Sequence, residues 1–271
     1  KGTRIGFIYH NGPMFAVLFA AIARAGAIAV PISTMIRANE LVRVLRQSDI
    51  AGLVVHRAML GKDYVPRLCE ALPELDTAQS PELRLAEAPY LRWIVSTGES
   101  LPPAFRDMQW LESGADLVGE ELLLQIESEI YPSDQLLEIY TSGSMALPKG
   151  VKHNHGPVMR RTHYVREKVT TIQSGEALPS VLPMFWIGGL LMNLLANWEA
   201  GAVTACFERT LSDSRMAMGS VLAEDDLEAM SQHTGPSHTL EICFAEVSNR
   251  LLIPEPTETM PMPLEPESRK A

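Results

Sequence analysis

Short apolar runs alternate with helix-patterned segments along most of this chain, and that alternation restricts the fold more than any single residue does. Arg4 to Tyr9 has the length and apolarity of a strand. Asn11-Gly12-Pro13 then supplies a helix start, with Asn11 as N-cap and Pro13 in the first turn. Gly26 closes that helix, and Ala27 to Pro31 resumes as a strand. Glu40 to Gln47 reads as a helix, Gly52 to Val55 as a buried strand, and Arg92 to Ser96 and Leu136 to Tyr140 as two more. Such repetition predicts an α/β fold, a largely parallel sheet flanked by helices. In open sheets of this kind ligands gather beyond the carboxyl ends of the strands.

The strand ending at Tyr140 runs into the most chemically pointed stretch of the sequence, Tyr-Thr-Ser-Gly-Ser-Met-Ala-Leu-Pro-Lys-Gly-Val from Tyr140 to Val151. Thr141, Ser142 and Ser144 offer hydroxyls, and Gly143 offers a backbone N–H with no side chain to keep an anion away. Pro148 stiffens the exit, Lys149 adds one ammonium charge, and Gly150 again leaves the backbone uncovered. These are the requirements of a polyphosphate cradle. A Walker A loop is excluded, because that motif places Ser or Thr after Gly-Lys, whereas the order here is Lys149-Gly150-Val151.

The stretch resembles the Thr-Ser-Gly-Ser-Thr-Gly-x-Pro-Lys-Gly signature of the adenylate-forming enzymes, the AMP-dependent acyl-CoA synthetase and ligase family. Met145 stands where that signature has threonine and Ala146 where it has glycine. Asn11, Arg24-Ala25-Gly26-Ala27 and Val30-Pro31 are similar to a second family segment. Leu182 to Leu190, Leu-Pro-Met-Phe-Trp-Ile-Gly-Gly-Leu, is similar to its Pro-Leu-Phe-His-x-x-Gly segment, with Trp186 at the histidine position. The resemblance covers roughly residues 3 to 210, and it implies an incomplete N-terminal domain over 1–210. It also implies a function: ATP-dependent activation of a carboxylic acid to an acyl-adenylate, then transfer to coenzyme A, with Mg²⁺ as companion of the nucleotide. Thr141, Ser142, Gly143, Ser144, Lys149 and Gly150 would then bind nucleotide, with Lys149 stabilising the departing pyrophosphate. Phe185, Trp186 and Gly188 would contact the acid, and a bulky indole there suits an apolar one. The Thr-Gly-Asp that would bind ribose and the Gly-Lys that would reach the substrate carboxylate are not found, and Lys270 is the only lysine after Lys168. A non-catalytic remnant that binds nucleotide weakly, or acts through a partner, is therefore the alternative expectation.

Beyond the loop, Gly156-Pro157 opens a helix expected to reach about Val169, carrying Arg160, Arg161, Arg166 and Lys168. On a chain of net charge −10 this is a local basic island, suited either to steering a polyphosphate or to lying solvated on a helix face. His153 and His155 alternate as strand residues and so face opposite ways, a poor pair for a metal. Leu190 to Glu199 reads as an apolar helix closed by Gly201, and Ala202 to Cys206 as a further strand. Residues 211–271 match the family poorly, and Leu252 to Ala271 carries five prolines among acidic residues, as a disordered tail would. The acidic balance argues against a nucleic-acid partner. The apolar run Met14 to Ala23 is too short to span a bilayer. Cys69, Cys206 and Cys243 lack ligand spacing, which suits a reducing, cytoplasmic compartment.

Overall fold

The computed structural model describes residues 1–59, 61–141 and 148–206. Contacts divide the chain into Lys1–Gly235 and Pro236–Ala271, and the second unit, with its Pro/Glu-rich tail, lies outside the described residues.

The predicted strand–helix–strand start is present as β1 (Arg4–Ile8), α1 (Pro13–Arg24) and β2 (Ile28–Pro31), with the strands parallel and Arg4 opposite Ile28. Pro13 occupies the first turn of α1, and Gly26 follows the helix at φ +63°, where a Cβ would be strained. A second crossover through α2 (Ala38–Gln47) brings β3 (Gly52–Val55) to the other side of β1. Glu40 closes the start of α2 by accepting from the Arg37 N–H at 3.2 Å. The short hairpin of β4 (Ala58–Met59) and β5 (Lys62–Asp63) leads into α3 (Tyr64–Ala71), capped by Asp63, and then α4 (Glu74–Thr77). β6 (Trp93–Ser96) pairs with β3; its indole lies over Gly52, a position where any side chain would collide with it.

After α5 (Met108–Ser113) and α6 (Glu120–Ser128), β7 (Gln135–Thr141) enters beside β2, parallel, with Leu137 opposite Ala29. β8 (Lys149–Asn154) returns antiparallel to β7, giving the order β6-β3-β1-β2-β7-β8. Strands β2 and β3 are buried along their whole length, as parallel strands covered on both faces must be. On one face Ile8, Val30, Leu53 and Val55 pack with α2 and α3; on the other, Phe7 meets Phe15 of α1 edge-on at 5.0 Å.

Two helical expectations are revised. α7 (His155–Val165) ends before Val169, and Arg166–Thr170 forms a π-helical turn that stops at Thr171 in the left-handed region. The expected apolar helix is interrupted: α8 (Ile187–Gly189) passes into a π-helical stretch, Leu190–Leu195, before α9 (Ala196–Ala200) and the left-handed Gly201. The last predicted strand is β10 (Val203–Ala205), which pairs parallel with β9 (Ala177–Pro179) in a separate small sheet.

Candidate functional site

The predicted phosphate loop is the connection of the β7–β8 hairpin. Its neck is closed by strand pairing, Thr141 opposite Lys149 and Tyr140 opposite Gly150. Ser142, Gly143 and Ser144 lie outside the described residues, so of the six predicted nucleotide-binding residues the structure locates Thr141, Lys149 and Gly150, all at the neck. Lys149 is exposed. A Cβ at Gly150 would collide with the Glu138 carboxylate and crowd the Tyr140 ring, so glycine here lets strand β8 lie close over both.

Glu138 is a buried carboxylate, only 4% exposed, and no sequence motif pointed to it. It accepts from the Tyr140 hydroxyl at 3.0 Å, and its Oε2 lies 3.5 Å from Arg4 Nε. The Tyr140 hydroxyl is pushed well above the usual tyrosine range, first by burial and then by the charge of Glu138. The neck therefore rests on an ionic cluster drawn from β1 and β7. A glutamate within Leu-Leu-Glu-Ile-Tyr was the available signal, since an apolar strand holds a charge only beside a partner.

The second group lies around Leu182–Trp186. Phe185 is buried and Trp186 is 40% exposed, the two rings meeting edge-on at 5.6 Å. A Cβ at Gly188 would meet open space, whereas one at Gly189 would strike the Pro183 carbonyl. Asn11 does not cap α1: Gly12 holds the N-cap position, with no side-chain cap. The Asn11 side chain instead reaches across the fold. Its Nδ2 donates to Ser180 Oγ at 2.8 Å and to the Leu182 carbonyl at 2.7 Å, and its Oδ1 accepts from the Met184 N–H at 2.8 Å. From the π-helical stretch Asn193 Nδ2 donates to the same Leu182 carbonyl at 2.7 Å, and Asn197 Nδ2 donates to the Asn193 carbonyl at 3.0 Å and to Thr204 Oγ1 at 2.9 Å.

These two groups leave the same edge of the sheet. β1, β2 and β7 are parallel, so Asn11, just past β1, and Thr141, the last residue of β7, both lie at carboxyl ends. α7, which continues directly from β8, packs against the π-helical stretch Leu190–Leu195 and so braces one group against the other. That edge is where an open α/β sheet offers a crevice.

Within the basic island Arg160, Arg161 and Lys168 are exposed, and Arg161 and Arg166 have partners nearby. Arg166 pairs with Glu167 and lies 3.7 Å from Glu199, His163 Nδ1 lies 2.7 Å from Glu199, and Arg161 stacks over Tyr164 at 4.8 Å. His153 belongs to β8, but His155 begins α7, so the strand alternation expected of them does not hold. Both imidazoles are held below their ordinary pKa, His153 by burial and His155 by burial against the opposing pull of Asp134, with a smaller push from the Lys1 ammonium. Among the described residues no group of three or more His, Cys, Asp or Glu could hold a metal ion, and no helix is long and apolar enough to cross a membrane.

The mitochondrial medium-chain acyl-CoA ligase of Macaca fascicularis is 26% identical over 202 residues, 72% of this chain and 33% of its own. A long-chain-fatty-acid–CoA ligase of Mycobacterium tuberculosis is 28% identical over 194 residues, 70% of this chain and 32% of its own. The chain thus spans about a third of the length of these relatives. Among solved structures, an anthranilate CoA ligase in complex with anthranoyl-AMP superimposes with a TM-score of 0.58 at 20% identity, over 77% of this chain and 36% of that one, a likeness of fold. The AMP-binding enzyme family model matches residues 1–227, and with it the hairpin loop and the Leu182–Trp186 segment. The chain belongs to the family of AMP-binding enzymes, whose adenylate-forming acyl-CoA synthetases and ligases are the relatives it matches.

Proposed function

We propose that this chain supplies the nucleotide-loop portion of an acyl-CoA synthetase, which activates an apolar carboxylic acid with ATP to an acyl-adenylate and passes the acyl group to coenzyme A. What supports this reading is that the neck of the hydroxyl- and glycine-rich hairpin, and Asn11, which holds the Leu182–Met184 backbone ahead of Phe185 and Trp186, both lie at carboxyl ends of parallel strands. ATP and coenzyme A are co-substrates of the related ligases. Mg²⁺ enters with the nucleotide to neutralise phosphate charge, and no residue of this chain is assigned to it.

Within that reading Lys149 has one task, to hold negative charge at the neck as pyrophosphate departs. The hydroxyls of Thr141, Ser142 and Ser144 and the N–H of Gly143 orient the phosphates, so that the acid carboxylate meets the α-phosphorus in line. Phe185, Trp186 and Gly188 border the acid and exclude water from it.

Exchange of labelled pyrophosphate into ATP, with decanoate and benzoate as acids, is the direct test. Lys149→Ala is expected to lower exchange about 100-fold, the scale of losing one charge-stabilising donor. Equal rates in the two proteins would remove Lys149 from the chemistry. Met145 and Ala146, which depart from the loop signature of the family, favour a second reading, a remnant that has kept the sheet and binds nucleotide weakly without catalysis. Calorimetric titration with ATP·Mg²⁺ separates the two: micromolar binding with exchange supports the enzyme, and binding silence supports the remnant.

A further inference from the structure

The least expected contact in the fold joins Asn11, just past β1, to residues 169 to 173 positions further along the chain. Asn11 is 4% exposed. It uses both faces of its amide, donating to Ser180 Oγ and the Leu182 carbonyl and accepting from the Met184 N–H. The Ser180 N–H still donates to the Ala205 carbonyl of β10, but residues 181–184 belong to no strand, so the Asn11 bonds take the place of a ladder in fixing that backbone. Phe185 and Trp186 follow immediately. Asn193 grips the Leu182 carbonyl from the π-helical stretch, so one carbonyl is shared by two amides. Gly189, tight against the Pro183 carbonyl, closes the turn.

We propose that Asn11 is a positioning residue for the carboxylic-acid pocket: by clamping Leu182 and Met184 it sets the backbone from which Phe185 and Trp186 project, and so tunes affinity for the acid without touching acid or nucleotide. This rests on the ligase reading above. Its chemistry is specific to an amide. An aspartate at this position keeps the oxygen that accepts from Met184, but it turns a second, charged oxygen on the Leu182 carbonyl. Protonation of that carboxyl restores an O–H donor to the same carbonyl. Burial at this position, 4% exposed, raises such a carboxyl above its ordinary range, so the clamp should fail in Asn11→Asp at about pH 8 and recover as the pH falls.

The test is calorimetric titration of parent and Asn11→Asp proteins with decanoate and, separately, ATP·Mg²⁺, at about pH 8 and about pH 6. Hydrogen exchange of the Met184 amide is read in the ligand-free proteins. The expected result is decanoate affinity about tenfold weaker in the variant at the higher pH, the gap narrowing at the lower, with ATP affinity unchanged. The Met184 amide should exchange faster in the variant. Equal decanoate affinity, or equal weakening of decanoate and ATP, would overturn the positioning role. Unchanged exchange at Met184 would overturn the clamp itself, whatever the ligand. A parent protein that binds ATP·Mg²⁺ but no decanoate, with the exchange difference intact, would instead sink the acid-pocket reading and leave the clamp a feature of folding alone.

Discussion

Gly188 and Gly189 are neighbours with opposite demands on space, and the difference lets packing at one be tested apart from the proposed acid contact at the other. At Gly188 a methyl group would project into open space, while at Gly189 it would enter the Pro183 carbonyl, a backbone atom that cannot swing aside. Gly189→Ala is expected to cost about 1–3 kcal/mol of stability, the range for overpacking a tight site. Gly188→Ala should be neutral or stabilise by up to about 1 kcal/mol, because alanine loses less entropy in a helix. Urea unfolding of both variants measures this, and a comparable loss in the two would contradict the geometry. Gly188→Ala also tests the pocket: weaker binding of decanoate with undiminished stability places that glycine against the acid. The same spatial logic holds at Gly150, where the Glu138 carboxylate fills the place of a side chain. Such crowding is invisible in a motif string, which records that glycine is there and omits what presses on it.

At the level of elements, the strands were legible because fully buried parallel strands read as short apolar runs, and β3 and β6 fall within a residue of their expected limits. The start of α1 was legible in place but not in cause. Asn-Gly-Pro carries a capping signature, yet the asparagine is spent on Ser180, Leu182 and Met184, partners no local rule can see. The π-helical stretches escaped for a related reason: a wider hydrogen-bond register leaves the apolar periodicity of Leu190–Glu199 nearly unchanged. The buried pair Asn193 and Asn197, one helical turn apart in an apolar run, was the available warning. The β8–α7 junction makes a pH prediction. The native imidazole of His155 is depressed, by burial and by the nearby Lys1 ammonium, with Asp134 pulling the other way. Its unfolded counterpart takes up a proton near the ordinary value of 6.5. Stability from this group is therefore complete above that value and declines as pH falls below it toward the native pKa, because the unfolded state protonates first. Asp134, held below its own ordinary value of 3.8 by Lys1, titrates outside that window. Denaturant midpoints between about pH 7.5 and about pH 5.5 should fall more in the parent than in His155→Gln. Parallel declines would mean that the imidazole is not the cause.

Across the whole molecule, the hairpin neck is attached to the sheet in a way that would couple a ligand held there to global stability. β7 is the last parallel strand and β8 the edge strand, and their neck sits on Glu138, Tyr140 and, through the ion pair, Arg4 of β1. A ligand held at this neck thus acts on a strand pair tied to the middle of the sheet. It stabilises the folded chain by RT ln(1 + [L]/Kd), about 2.7 kcal/mol at 100 times the dissociation constant. For a unit of this size that corresponds to a rise in Tm of about 5–10 °C. Calorimetric scans of the parent with saturating ATP·Mg²⁺ are expected to show this rise. Measured against its own ligand-free Tm, Lys149→Ala should lose most of the increment at the same nucleotide concentration. An equal rise in both would detach Lys149 from the nucleotide. No rise in the parent would leave the loop without ATP, and with it the adenylation chemistry of this chain.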